Sequence, residues 1–508
     1  MSEATVPVEH TTSLALTEKT KLIKSLRRVD MIFFTVCAIV GLDILGQVSS
    51  YGAETFTWVL VLAVAFLVPY GLLTAELGTA FPQEGGPYEW MKLAWGRFPA
   101  AIGAILYWVT NPFWVGGSLC FIATEAWSTN LHGIGNGTVG DYLFKLAFIW
   151  ISIGVAIISL RYGKWIPNAG AIVRFAVLGF FSLTVLIYAI KHGLHGYAAG
   201  DYSPTKGVFI GLVPLLIFTY VGFELENSAG EEMEDPQRDV PRAVVASGVI
   251  SAILYAIPIF GILAVIPLKE ITGIGGFIDA VQATFSVYGG AQNVLVDLMT
   301  IGFIFALMTS GAVWMIGSDR VQAAAGYDGA FIGWFGVFNR RFGTPVRVNV
   351  MSGVAATIFM VAAVNLLSGS HADTFTVVLY MAISTTLLSY LLIFPTVVKL
   401  RYTHPHVERP YRVPGGNAGV WIAAVIATAW IALASFVAIF PDVLERAVGA
   451  GYGFVDSWGV TQLRFEVFTF GTLAVVVAFG VIGYILGKPI RDQEADAPLV
   501  ATHREAPA

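Results

Sequence analysis

The sequence predicts an all-α integral membrane protein with 12 transmembrane helices, arranged as a 5+5 inverted repeat with discontinuous helices 1 and 6 plus two peripheral helices. Three observations predict this class. Only 12% of the 508 residues are charged and 56% are apolar or aromatic, whereas a soluble domain carries about twice that charged fraction. Apolar stretches long enough to cross a bilayer recur along the chain. A short pattern of glycine and acid recurs in the first and the sixth of them.

The composition excludes several other classes of protein. A formal net charge of -5 provides no basic face for nucleic acid. Cys37 and Cys120 lie in separate apolar stretches and offer neither a disulfide framework nor a zinc site. His404 and His406 flank a proline in a loop, and no Gly-Lys pair is followed by Ser or Thr, as a Walker A loop requires. We therefore expect no metal, no cofactor and no ATP hydrolysis.

The twelve predicted spans follow one another with short polar breaks. Each is long enough to cross a hydrocarbon core of about 30 Å. They cover 31–53, 57–80, 98–127, 141–160, 166–190, 207–230, 241–267, 289–317, 346–367, 372–400, 418–440 and 463–487. They divide the chain into an N-terminal tail (1–28), a core of helices 1–10 (29–400), peripheral helices 11 and 12 (401–487) and a C-terminal tail (488–508). Because the start of the chain is polar, we expect the first span to be an uncleaved anchor rather than a signal peptide.

The distribution of Lys and Arg between the loops predicts the orientation in the membrane. The side that holds both termini carries 22 of them, and the opposite loops carry 5. Positively charged loops remain in the cytoplasm. We therefore predict a multi-pass protein of the plasma membrane, surrounded by lipid, with both termini cytoplasmic. The sequence defines no oligomeric state.

Two spans carry the same local interruption. Gly41 and Asp43 lie near the middle of the first span, and Gly222 and Glu224 lie in the sixth, 181 residues or five spans later. An odd number of crossings turns the second copy over in the membrane, which is the inverted repeat of secondary transporters. Glycine permits an unwound backbone, and unpaired backbone groups persist in a membrane only where they line a cavity or bind something. We favour broken helices over the alternative that both glycines only allow close helix packing.

Three groups of motifs point to one family. The first is Phe218-Thr219-Tyr220-Val221-Gly222-Phe223-Glu224 followed by 231–242, similar to the family's sixth helix and the loop after it. The second is 75–77 with 81–88, similar to its second helix and following loop. The third comprises 328–330, 342–345 and 409–415, similar to its later cytoplasmic loops. Between about Leu26 and Gly487 the chain resembles the amino acid-polyamine-organocation (APC) superfamily of permeases.

The resemblance implies a transporter that moves an amino acid across the membrane by alternating access, by exchange or together with protons, and not an enzyme. In such permeases, N–H groups at the break in helix 1 bind the substrate carboxylate, and carbonyls of helix 6 bind its ammonium. By position these groups belong to Val40, Gly41, Leu42 and Asp43, and to Phe218, Thr219, Tyr220, Val221 and Gly222. Phe218 lies where the family often has an aromatic gate. Asn111 and Trp114 complete the predicted binding residues, because helix 3 lines the cavity in this fold.

Asp43 departs from the family pattern, in which helix 1 reads glycine, small residue, glycine. An ionised Asp43 would repel a substrate carboxylate and attract an amine, which favours a polyamine or a cationic amino acid. A protonated Asp43 would suit a neutral or acidic amino acid and could carry the coupled proton. In a third interpretation Asp43 caps the second half of helix 1. A carrier of polyamines or other organic amines is therefore the near alternative, and a substrate sensor built on a carrier fold is the outside one.

Two further charged residues are predicted to serve coupling. Glu224 occupies the position of the family's usual helix 6 glutamate, which the resemblance implicates in coupling. Arg174 lies in helix 5, where proton-coupled members carry a lysine and sodium-coupled relatives hold sodium. Because arginine keeps its charge, we expect a fixed cation in place of sodium and a carboxylate that binds any coupled proton. The alternative is an arginine that snorkels to the cytoplasmic interface. Glu76, near the inner end of helix 2, is expected to form a structural ion pair.

Overall fold

The computed structural model describes residues 12–22, 24–158, 165–194, 197–266, 275–366, 371–454, 458 and 460–495. Within these ranges all regular secondary structure is helical. Eleven of the described helices are long and apolar enough to cross a membrane, and Phe209–Thr219 is a shorter apolar helix. The predicted class, an all-helical membrane protein, is confirmed.

The membrane helices are numbered α1–α12 after the predicted spans. The first consists of two halves, α1a (Arg28–Ile39) and α1b (Leu42–Ser49). The others are α2 (Ala53–Ala80), α3 (Arg97–Asn130), α4 (Val139–Ile158), α5 (Trp165–His192), α6 (Lys206–Thr219), α7 (Pro236–Val265), α8 (Gln292–Tyr327), α9 (Val346–Leu366), α10 (His371–Ile393), α11 (Gly416–Ile439) and α12 (Gln462–Leu486). Shorter helices outside the spans cover Ser13–Lys19, Gly86–Trp95, Gly276–Phe285 and Thr396–Thr403.

Helix 1 is interrupted at the predicted place. α1a ends at Ile39, and α1b begins at Leu42. Between them Val40 adopts φ -80° and ψ 83°, and Gly41 is extended at φ -81° and ψ 119°. A helix end in the membrane leaves carbonyl and N–H groups without intrahelical partners, so the surrounding helices must supply them.

Helix 6 is interrupted too, and this shortens it relative to the predicted span 207–230. α6 ends at Thr219, and the chain continues without α-helix through Gly222, whose φ is +133°. A Cβ atom on Gly222 would lie 3.1 Å from Ile39 and 3.3 Å from Trp314. Glycine is therefore required here both by its backbone angle and by the close approach of helix 1. The two breaks contact each other through this residue.

The helices differ in how deeply they are buried. The most apolar window of Arg97–Asn130 in α3 is 100% buried, whereas that of Gln462–Gln493, which includes α12, is only 22% buried. α3 packs against α8 and α10, while α1a packs against α5 and α7. α3 therefore forms the centre of the bundle and α12 its periphery. The inverted relation of the two five-helix units stays a prediction.

The eighth helix extends well beyond its predicted end. α8 continues to Tyr327, although its predicted span ends at 317. Its last turns carry Asp319 and Arg320, which are fully buried. Hydropathy ended the span at these charges, but both side chains find partners inside the protein and so allow the helix to continue.

Both described ends of the chain reach the same segment. The Thr12 hydroxyl donates to the Tyr327 carbonyl at 2.5 Å, and Arg491 donates to the Gly329 carbonyl. The two ends therefore lie on one side of the membrane, which we call the terminus side. This agrees with an even number of crossings.

We expect Gly222→Ala to destabilise the protein by about 1–3 kcal/mol, because alanine is strained at this φ and its Cβ would press on Ile39. Gly179→Ala on α5 is the matched control, since nothing lies within 4 Å of its Cβ position and alanine favours a helix. Unfolding in detergent measures both. Equal stability of the two variants would contradict the close contact between the breaks.

Candidate functional site

The carbonyl groups freed by the break in helix 1 are matched one by one with side chains. Those of residues 37–40 have lost the N–H partners that a continuous helix would supply. Each accepts a hydrogen bond from another helix. In chain order the donors are Ser310 (3.2 Å), Trp314 (2.9 Å), Tyr255 (2.6 Å) and Arg174 (3.0 Å). The Tyr255 hydroxyl also accepts from the Gly41 N–H at 2.9 Å. The protein interior thus supplies a hydrogen-bond donor for each carbonyl that the break exposes.

Arg174 of α5 lies in a cage of oxygen atoms. It is fully buried. Besides the carbonyl of Val40 it donates to oxygens of its own helix and of α8, namely Gly170 O (2.8 Å), Ala306 O (2.5 Å), Thr309 Oγ1 (3.0 Å) and Ser310 Oγ. The alternative that Arg174 snorkels to the cytoplasmic interface is wrong, because its guanidinium ties the break in helix 1 to α5 and α8.

Asp43 lies beside the same break with one oxygen unsatisfied. It is 1% exposed, and its Oδ2 accepts from the Trp114 indole at 3.0 Å. Its Oδ1 has no hydrogen-bond partner in the described part of the chain. A Cβ atom on Gly41 would lie 2.6 Å from Oδ1, so the carboxylate lies against bare backbone. Gly41 is the N-cap residue of α1b, and Asp43 lies in its first turn, where a negative charge is favourable.

Aromatic side chains form a wall next to Asp43. The Trp114 ring meets Phe218 edge to face at 6.1 Å and Trp314 at 6.3 Å. Asn111 precedes Trp114 by three residues and therefore shares its face of α3. The Asn111 side chain is fully buried, and neither polar atom has a hydrogen-bond partner among the described residues. The structure thus brings Asp43, Trp114 and Phe218 together beside the break in helix 1.

The other predicted residues of helix 6 point elsewhere. The Thr219 hydroxyl donates to the carbonyl of Leu215 in its own helix at 2.8 Å. The Tyr220 hydroxyl donates to the carbonyl of Val59 in α2 at 2.9 Å. Val221 and Leu42 are buried. The side chains of Thr219 and Tyr220 are therefore used within the scaffold, which leaves their backbone groups as the predicted contacts.

Glu224 is held by three tyrosines from three helices. Its side chain is fully buried. Tyr107 of α3 and Tyr390 of α10 each donate to Oε1 at 2.6 Å, and Tyr70 of α2 donates to Oε2. The Tyr70 hydroxyl also accepts from the backbone N–H groups of Gly222 and Phe223, each at 2.9 Å. One hydroxyl oxygen thus joins α2, the break in helix 6 and the buried carboxylate.

Sequence reasoning missed Tyr70, Tyr255 and Tyr390 as parts of the site. A signal existed, because a buried tyrosine needs a hydrogen-bond partner and each lies within a predicted span away from its polar ends. Nothing in the sequence indicated which partner each would have.

Three acids outside the breaks have clear structural partners. Glu76 pairs with Arg401 at 2.5 Å, so the predicted ion pair is confirmed. Glu226 is buried and accepts from the Thr35 hydroxyl at 2.6 Å, whereas its Oε1 has no hydrogen-bond partner among the described residues. Asp319, which sequence reasoning also missed, accepts from side chains of α3 and α9. These are Trp108 (3.0 Å), Ser352 (2.6 Å) and Asn349 (2.5 Å).

Ion pairs close the terminus side beneath the breaks. Arg320 of α8 binds Glu84 at 3.1 Å and Glu232 at 2.8 Å, which joins the loops that follow α2 and the helix 6 break. Burial raises the pKa of Glu84 well above its usual value, and the nearby negative charge of Glu232 adds to this effect. These contacts must separate if a path is to open toward this side.

Two interrupted helices that meet beside buried carboxylates define the class of broken-helix transporters. Sequence comparison gives the family: a family model described as amino acid permease matches residues 26–452. The chain belongs to this amino acid permease family, and the resemblance to the APC superfamily is confirmed. It is a transporter and not an enzyme.

The relatives that the chain resembles are named for different substrates. The chain is 28% identical to a probable agmatine/putrescine antiporter of Lactococcus lactis, over 76% of this chain and 82% of the relative. It is 23% identical to a glutamate/gamma-aminobutyrate antiporter of the same species, over 74% of this chain and 76% of the relative. It is 24% identical to a branched-chain amino acid permease of Bacillus subtilis, over 77% of this chain and 85% of the relative.

We expect Tyr70→Phe to destabilise the protein by about 2–4 kcal/mol, because it leaves two buried N–H groups and one carboxylate oxygen without their shared partner. Tyr484→Phe on α12 is the control, since no hydrogen bond of its hydroxyl to a described residue is seen. Denaturant unfolding in detergent compares them. A loss no larger than that of the control would show that Tyr70 is not the link.

Proposed function

We propose that the chain is a secondary transporter of the cell membrane that exchanges amine-bearing substrates, either organic diamines or cationic amino acids, by alternating access and without sodium. The Asp43 carboxylate is the observation that carries this proposal. It is buried beside the break in helix 1 with one oxygen unsatisfied. Arg174 already places a positive charge at this break, and a substrate ammonium would supply the hydrogen-bonding partner that Oδ1 of Asp43 lacks.

The surroundings of Asp43 support an amine rather than a carboxylate at this place. The carbonyls of residues 37–40 are already occupied by side chains, so the amine would rely on Asp43 itself. Trp114 and Phe218 offer aromatic faces, which attract a cation. A substrate carboxylate at Oδ1 would instead meet a like charge. The similarity to a probable agmatine/putrescine antiporter supports the same choice.

Transport would follow from the breaks and the closure beneath them. In this proposal, substrate enters beside Asp43, the broken halves of helices 1 and 6 rotate, and the ion pairs of Arg320 separate to open the terminus side. Glu224 is the coupling carboxylate, because the three tyrosines that donate to it come from α2, α3 and α10. Their hydrogen bonds to Glu224 would break together. By the distribution of positive charge, the terminus side is cytoplasmic.

We expect Asp43→Asn to weaken the binding of agmatine, putrescine and cationic amino acids roughly 10- to 100-fold, because a charge-assisted hydrogen bond contributes about 1.5–3 kcal/mol. Neutral amino acids should bind with unchanged or improved affinity. Ligand-induced thermal stabilisation measures binding, and counterflow in proteoliposomes measures exchange. Asp297→Asn, a partly exposed acid of α8, is the control.

The possible outcomes separate the alternatives. Equal loss for all ligands would mean that Asp43 serves the structure of helix 1 and would overturn the proposal. Binding without counterflow would indicate a sensor. Stabilisation by neutral amino acids alone, in the unchanged protein, would indicate an amino acid permease that holds Asp43 protonated.

We expect exchange to continue at an unchanged rate when sodium is replaced by choline. The guanidinium of Arg174 fills an all-oxygen cage at the break in helix 1 and leaves those oxygens satisfied. Radiolabelled uptake into proteoliposomes in matched sodium and choline buffers tests this. Collapse of uptake in choline would show that a sodium ion is needed in addition to Arg174.

A further inference from the structure

A groove opens toward the membrane between α2 and α7. It has a volume of about 380 Å³ and is lined by apolar side chains together with Tyr411 at one end. Its rims include four exposed valines, Val64, Val68, Val245 and Val249. Such a groove in a membrane protein lies at the depth of the lipid chains.

The floor of the groove is the break in helix 6. Phe223 is buried between two glycines, since a Cβ atom on Gly71 of α2 would lie 3.5 Å from its ring and one on Gly248 of α7 would lie 3.1 Å from it. Phe223 lies between Gly222 and Glu224, and its N–H binds the Tyr70 hydroxyl. Phe223 lines the groove, although its ring is almost wholly covered by α2 and α7, so an occupant of the groove would pack beside the residue in the middle of the helix 6 break.

The length of the groove matches one leaflet of the membrane. Its lining runs from Ala63 to Ala75 on α2 and from Pro241 to Ile253 on α7. At 1.5 Å per residue, both stretches are about 18 Å long. Half of a 30 Å hydrocarbon core is about 15 Å. The groove ends on the terminus side, because Ala75 precedes Glu76, whose carboxylate binds the loop that contains Tyr411.

Positive charges stand at that end of the groove. Arg238 and Arg242 lie on α7 at helical spacing before Val245 and Val249, so they share the groove's face of the helix. Arg412 follows Tyr411 directly. All three are exposed, and none forms an ion pair with a described residue.

We propose that this groove is a binding site for one anionic phospholipid of the terminus-side leaflet. An acyl chain fills the groove over Phe223, and the headgroup phosphate binds the arginines at its end. The apolar lining of the groove suits an acyl chain, and the length of the groove matches the depth of one leaflet. The three arginines account for the preference for an anionic headgroup. Because the acyl chain packs beside Phe223, the bound lipid stabilises the break in helix 6 in the conformation seen here.

The test uses the purified full chain in neutral detergent with added phosphatidylglycerol or phosphatidylcholine. We expect phosphatidylglycerol to raise the apparent unfolding temperature by several degrees more than phosphatidylcholine does, and native mass spectrometry to show a retained phosphatidylglycerol. The triple variant Arg238→Gln, Arg242→Gln, Arg412→Gln should lose most of this difference. Val249→Trp, which fills the groove from its rim, should lose both the difference and the retained lipid; Ala252→Leu is a milder filling variant if tryptophan prevents folding.

Two matched variants serve as controls. Val475→Trp places the same bulk on an exposed valine of α12, and Arg464→Gln removes an exposed arginine near the opposite end of the bundle. Both should retain the full phosphatidylglycerol effect. An undiminished effect in the groove variants, or an equal loss in the controls, would overturn the proposal. So would a change of oligomeric mass in Val249→Trp with the lipid effect intact, which would assign the groove to a second copy of the chain. None of these readouts depends on what the protein transports.

Discussion

The structure depends on one constraint: a backbone that leaves the helix inside a membrane must find a partner for every polar group. Two helices of this protein break at mid-membrane, and side chains of the neighbouring helices form hydrogen bonds with the exposed backbone groups. The carbonyls of residues 37–40 each receive a side-chain donor, from α5, α7 or α8. The N–H groups of Gly222 and Phe223 share the Tyr70 hydroxyl. Much of the polar chemistry in the interior is explained by this requirement alone.

The same requirement joins the breaks to the charged residues. Arg174 satisfies a carbonyl of helix 1 and fixes a positive charge there, while Tyr70 satisfies helix 6 and holds Glu224. The groups that stabilise the interruptions are therefore the groups next to the proposed cargo and coupling positions. This explains why fold and site cannot be separated in this protein as they can in an enzyme whose catalytic residues lie on loops.

Sequence reasoning was successful where the pattern is local. The Gly-x-acid motif predicted both breaks, and hydropathy predicted the spans apart from the end of α8 and the interrupted half of helix 6. The partners of the breaks were not predicted, because they are long-range contacts. Tyr390 meets Glu224 from 166 residues away, and Tyr255 meets Ile39 from 216 residues away. A single sequence contains no information on such pairings. Arg174 was predicted to matter only because the resemblance to the APC superfamily places it where proton-coupled members carry a lysine.

The full occupation of the helix 1 carbonyls has a consequence for redesigning selectivity. Because those carbonyl oxygens already accept hydrogen bonds from side chains, they cannot be used to change which substrate binds at this break. The adjustable elements are Asp43 and Asn111, which keep unsatisfied polar atoms, and the rings of Trp114 and Phe218 beside them, of which Trp114 also donates to Asp43. An engineer who wishes to alter the cargo can therefore vary a small set of replaceable wall residues while leaving the interrupted scaffold untouched.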